Sequence, residues 1–156
     1  MIRGGRTDER GMALAVAIFS LVIVGALVAA NFYAGLVEQQ SGQNSLFARQ
    51  AAEGAEAGLQ EALSAVPPST LVTLPVGGTP LDLGASAVGP GVRVERQITR
   101  LTSRLFLLRA RGTRHDAAGS ALAVRALGSL VRLTPDPAGG SPSVVPFSQR
   151  GWVQLY

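Results

Sequence analysis

No charged residue occurs between Gly11 and Glu38. A run of this kind allows few fates, because an exposed apolar rod must find lipid, a partner or a core. Residues Met12 to Ala30 contain one polar side chain, Ser20. At ~1.5 Å per residue they extend about 28 Å, close to the ~30 Å hydrocarbon thickness of a bilayer. The apolar tone continues through Phe32, Tyr33, Leu36 and Val37, with Tyr33 suited to the membrane–water interface. The pattern predicts one transmembrane helix over 12–37. Arg3, Arg6 and Arg10 precede it, and no charge follows until Glu38. The positive-inside bias then places the N-terminus in the cytoplasm and the remainder outside, and Asp8 and Glu9 weigh little against it. A secretory signal removed after Val28–Ala30 is the rival reading. The run is longer than the usual ~7–15 residues and its helical pattern continues past that point, which favours retention.

Beyond the apolar run, Phe47, Ala51, Ala55, Leu59, Leu63 and Val66 recur every three or four residues and draw one apolar stripe. Glu53, Glu56, Gln60 and Glu61 fill the other faces of this segment, which is rich in good helix formers. Gly42, Gly54 and Gly58 weaken it by up to ~1 kcal/mol each relative to Ala. Pro67 and Pro68 end it, since proline lacks the N–H donor and restricts the residue before it. A long helix is expected from about 12 to about 65, bent or broken near "QSGQNS", with 38–66 its amphipathic continuation.

Residues 67–91 are rich in Pro, Gly, Ser and Thr and read as a loop holding at most one short strand. "VRVERQITRL", "RLFLLRARG" and "SALAVRALGSLVRL" read as three strands of an antiparallel meander. The Asp and Gly of "TRHDAAG" suit a hairpin turn between the second and third. Phe106, Leu108 and Ala110 share one face and Arg109 and Arg111 the other. On the third strand Leu122, Val124, Ala126 and Leu130 lie together, opposite Arg125. "TPDPAGGSPSVVP" reads as a loop and "GWVQLY" as a final strand, whose Trp152 and Tyr156 pin the chain end. A small sheet without cysteines has a thin core, so the stripe from Phe47 to Val66 is expected to lie across it. The fold class is therefore α+β: a long transmembrane and amphipathic α-helix packed on an antiparallel sheet made from 67–156.

The chain has no cysteine, which removes disulfides and thiolate metal sites. His115, the single histidine, stands beside Asp116 in a turn and cannot form a metal site unaided. Asp82, Asp116 and Asp136 are scattered and lack the spacing of a calcium loop. No nucleophile elbow, phosphate-binding loop or dinucleotide fingerprint occurs, so neither catalysis nor a cofactor is expected.

The charged leader ending at Gly11, the apolar segment starting at Met12, the helix carried past the membrane and the sheet laid on it together resemble the type IV pilin-like proteins. "RGMALAVAIFSLVIVGALVA" followed by "ARQAAEGAEAGLQEAL" is most similar to the PilX-type minor pilins. The resemblance implies a leader over 1–11, cut between Gly11 and Met12 by prepilin peptidase, and a new N-terminus that is methylated. It implies an inner-membrane protein with a periplasmic domain, assembled with other minor and major pilins. Major pilins carry Glu at the fifth mature position, where it neutralises a neighbour's N-terminal amine; here that position is Val16. A buried amine without a carboxylate is costly. The resemblance thus implies a subunit that initiates or caps a filament, with a type II secretion pseudopilin of the GspK type as the alternative. The small residues Ala13, Ala17 and Gly25, beside Val16, permit close helix approach during assembly.

The charge divides unevenly. Residues 1–11, 12–66 and 67–156 carry formal charges of +1, −3 and +6, making up the net +4. All basic residues are Arg. Arg93, Arg96, Arg100, Arg104, Arg109, Arg111, Arg114 and Arg125 make the strand region basic. They read either as a solvated face or as a polyanion surface, with Arg96, Arg100, Arg104, Arg109, Arg111 and Arg125 as its contacts. The second reading makes the chain a membrane-tethered module that binds DNA.

Overall fold

A computed structural model describes residues 6–135, 142–147 and 152–155, with the side chains of 6–10 and 152–155 left aside. Most of the expected leader (1–5), Asp136, Tyr156 and the side chain of Trp152 lie outside the described residues. The chain divides into two compact units, Met1–Gln43 and Asn44–Tyr156.

Helix α1 runs Arg6–Ala65. The interruption expected near "QSGQNS" does not occur. Ser41, Gly42, Asn44 and Ser45 are poor helix formers, but each costs under about 1 kcal/mol, and long helical stretches on both sides carry the turn through. The helix stops where expected: Val66 N–H closes a last bond to Ala62 O at 3.2 Å, and Pro67 is extended at φ −67°, ψ 142°.

In the second unit, α2 (Pro68–Thr73) follows at once, with proline at the position where its missing donor does no harm. This short helix lies in a segment expected to be loop, and it buries Leu71 in the core. Six strands follow: β1 (Leu81–Gly89), β2 (Val92–Arg100), β3 (Leu105–His115), β4 (Ala121–Thr134), β5 (Ser143–Pro146) and β6 (Trp152–Leu155). All neighbouring pairs are antiparallel in the order β1-β2-β3-β4-β5, and β6 also pairs with β4. Strands β5 and β6 occupy successive stretches of one edge of β4, opposite Val131–Thr134 and Ala126–Ser129 respectively.

The three central strands, the hairpin at Asp116 and the final strand stand where the alternation puts them. Strand β1 is longer than the single short strand expected, and β5 falls in a stretch read as loop. Both are obscured by backbone irregularity. β1 carries a register shift between Asp82 and Ala85, with Gly84 at φ +84°, so its alternation breaks midway. β5 has four residues and ends at Pro146, which suits only a strand at a sheet margin.

One sheet face packs on the second half of α1. Its buried members are Val94 and Ile98 of β2, Phe106, Leu108 and Ala110 of β3, and Val131 and Leu133 of β4. They meet Ala55, Leu59 and Ala62 of the helix and Leu71 of α2. Leu122, Val124, Ala126 and Leu130 do share a face opposite Arg125, but that face is turned away from the helix. Register decides this: Phe106 pairs with Val131, Leu108 with Ser129 and Ala110 with Leu127, so the odd-numbered side of β4 joins the core.

Candidate functional site

The membrane-length part of α1 is exposed along its length among the described residues. Fifteen large apolar side chains from Met12 to Val37 are exposed, among them Phe19 at 66% and Tyr33 at 71%. They leave no polar side: the whole circumference is greasy. Burying such a side chain is worth ~1.5–3 kcal/mol, so leaving fifteen half-covered in water forgoes on the order of 20 kcal/mol. That exceeds the ~5–15 kcal/mol that holds a typical domain together. This helix is long and apolar enough to cross a membrane. Ala13, Val16, Ala17 and Gly25 all lie exposed on it, and a Cβ built on Gly25 meets nothing within 4 Å.

At the seam between α1 and the sheet the backbones nearly touch. Ala51, Ala55 and Leu59 are fully buried, Leu63 packs at the margin, and Phe47 is half-buried beneath the Arg114 guanidinium at 6.0 Å. A Cβ on Gly54 would sit 2.6 Å from Val92 Cγ1, and one on Gly58 would sit 2.3 Å from Val94 Cγ1. Across the seam, a Cβ on Gly112 would lie 2.0 Å from Ala51 O and 2.8 Å from Ala55 N. So Gly54 and Gly58, which sequence reasoning counts only as helix weakeners, are points of close approach. Gly112 is not among the residues the sequence pattern marks out. The signal was present: "AAEGAEAG" is a helix face with almost no side-chain volume, opposed by a strand that interrupts "RARGTR" with glycine.

The arginines divide between the two faces. Arg96 shares its face with Val94 and Ile98, is 9% exposed, and pairs through Nη1 with Glu61 Oε1 at 2.5 Å. Ser86 Oγ donates to the other oxygen of Glu61 at 3.3 Å, so that carboxylate ties β1, β2 and α1 together. Arg100 donates to four carbonyls: Val72 O at 2.7 Å, Leu74 O at 2.8 Å, Thr102 O at 3.2 Å and Ser103 O at 3.0 Å. It thereby fastens the end of α2 to the β2–β3 turn. Arg114 donates through Nε to Gln50 Oε1 at 2.8 Å and through Nη1 to Pro90 O at 3.0 Å. Arg96 and Arg100 are therefore internal fasteners rather than surface contacts. The parity of "VRVERQITR" signals this, since both arginines fall on the positions of Val94 and Ile98. Arg109 and Arg111 are exposed on the opposite face, Arg104 lies in the β2–β3 turn, and Arg125 is exposed on the helix-side parity of β4.

The remaining candidate side chains hold turns. Asp116 Oδ1 accepts from Ala118 N at 2.9 Å and Ser120 N at 2.8 Å. Asp82 Oδ1 accepts from Gly84 N at 2.8 Å. The backbone N–H of His115 donates to Gly91 O at 2.7 Å, where Gly91 at φ +67° packs against Arg114 and leaves no room for a side chain. Among the described residues no cluster of three His, Cys, Asp or Glu side chains stands ready for a metal. No protein-family model, curated protein or solved structure matches the chain.

Proposed function

We propose that this chain is a minor, non-enzymatic subunit of a type IV pilin-like filament. It sits in the bacterial inner membrane through residues 12–37, N-terminus inside and helix–sheet unit in the periplasm, and it helps initiate or cap assembly. The observation that carries this reading is the apolar surface covering the whole circumference of α1 from Met12 to Val37. A helix greasy on all sides serves in lipid and equally well in a bundle of similar helices. Withdrawal from the bilayer into such a bundle exchanges one apolar environment for another at little cost, and small residues such as Ala13, Ala17 and Gly25 improve the packing. Val16 offers no carboxylate to a neighbouring amine, so a repeating position inside the filament is disfavoured and an end position is not.

The test uses the cells that make this chain. Removing it should sharply lower the number of surface filaments. The wild-type chain should restore them, while Gly11→Val, which blocks cleavage after residue 11, should not. Unchanged filament number after removal, or full restoration by Gly11→Val, overturns the proposal.

A further inference from the structure

Strand register places Arg93, Arg111, Arg109 and Arg132 on the sheet face turned away from the helix. Arg93 stands on β2 opposite Thr113, Arg111 opposite Glu95, Arg109 opposite Gln97, and Arg132 on β4 opposite Leu105. In successive rows across the sheet they form a diagonal from β2 through β3 to β4. With ~3.4 Å per residue and ~4.8 Å between strands, the diagonal extends about 27 Å along the strands and about 10 Å across them. Its floor beside β3 is low, because Ala126 and Gly128 of β4 oppose Arg111 and Arg109. Ala126, Glu95, Gln97, Arg109 and Arg111 line a shallow depression there of about 260 Å³.

None of the four makes an ion pair among the described residues, in contrast to Arg96. Glu95 is the one acid of β2 or β3 on this face, and Asp82 of β1 already accepts Gly84 N–H. We infer that this face is a track for the phosphate backbone of duplex DNA, held by Arg93, Arg109, Arg111 and Arg132. The inference stands apart from the filament proposal, since it needs only the helix–sheet unit. A duplex is favoured over a single strand because single strands are gripped by stacking on exposed rings. Among the described residues Phe147, 41% exposed, stands under the Arg132 guanidinium at 5.7 Å, a single ring already occupied on one face rather than a row of stacking platforms. Along ~27 Å one DNA strand offers about eight phosphates, ample for four guanidinium groups. Binding of this type reads no sequence.

The experiment takes the full chain in uncharged detergent micelles and a fluorescent duplex of mixed sequence, with affinity read by anisotropy. Four phosphate contacts give a slope of log K against log salt of about −3.6, or roughly a 100-fold loss between about 50 and 200 mM. Arg109→Ala with Arg111→Ala should bring the slope to about −1.8. Arg109→Lys with Arg111→Lys should keep it, since a lysine is also a phosphate binder, which separates lost charge from lost fold. Arg125→Ala removes one charge off the track and should leave the slope unchanged. Flattening by Arg125→Ala that reaches half that of the double alanine variant overturns the inference, because each charge then counts alike wherever it stands and diffuse charge alone is at work. So does duplex left unbound at about 50 mM salt, whether or not single-stranded DNA or phosphatidylglycerol vesicles bind.

Discussion

Gly112→Ala asks how closely α1 approaches the sheet. In a strand interior, glycine costs ~0.5–1 kcal/mol relative to alanine through backbone entropy, so with free space the substitution should stabilise the domain by that amount. Here the new methyl would stand 2.0 Å from Ala51 O and 2.8 Å from Ala55 N. Both are backbone atoms of a helix and cannot rotate aside. To reach ordinary contact, the helix must lift by more than 1 Å, loosening fully buried Ala51, Ala55 and Leu59 together. Overpacking of this kind costs ~1–3 kcal/mol, leaving a net loss of about 0.5–2 kcal/mol after the entropic gain. At roughly 4 °C or more per kcal/mol, thermal unfolding of the sheet, followed by circular dichroism in detergent, should move down by about 2–8 °C. Gly42→Ala meets nothing within 4 Å and should not lower the transition. A Gly112→Ala protein that melts above wild type refutes the close-approach account, because the sign itself is wrong.

Leu59→Arg forces a charge into a fully buried position facing the sheet and should abolish the cooperative transition; a wild-type melting curve contradicts the packing described. Glu61→Gln leaves Arg96, whose Nε is already without a partner, facing a neutral amide. Because Glu61 is half-exposed, the loss should be moderate, about 1–2 kcal/mol in urea unfolding. Glu53→Gln, which breaks the exposed i,i+4 pair with Arg49, should cost no more than about 0.5 kcal/mol. Equal costs for the two remove the distinction between fastener and ornament.

Legibility in the sequence follows the number of independent signals at each position. The stripe from Phe47 to Leu63 repeats at helical spacing over several turns, and Ala51, Ala55 and Leu59 are buried where it puts them. Strands β2 and β3 alternate cleanly enough to separate Phe106, Leu108 and Ala110 from Arg109 and Arg111. Strand β4 is apolar on both sides, so only pairing with β3 reveals that Leu127, Ser129 and Val131 face the helix. That pairing is a long-range fact absent from local pattern. Arg96 and Arg100 look like surface residues by charge alone, yet their parity puts them on the core side, where a guanidinium can be buried because carboxylate or carbonyl partners await it. Gly112 is harder to read, because a glycine in a strand announces closeness without naming what comes close.

The chemistry of the chain start tests the central claim most directly. Intact mass analysis of the protein purified from the membranes of its own cells should give a chain that begins at methylated Met12 and retains residues 12–37. A product that begins at Asn31 and is recovered free of membrane contradicts it, because the apolar helix would then be a discarded export signal.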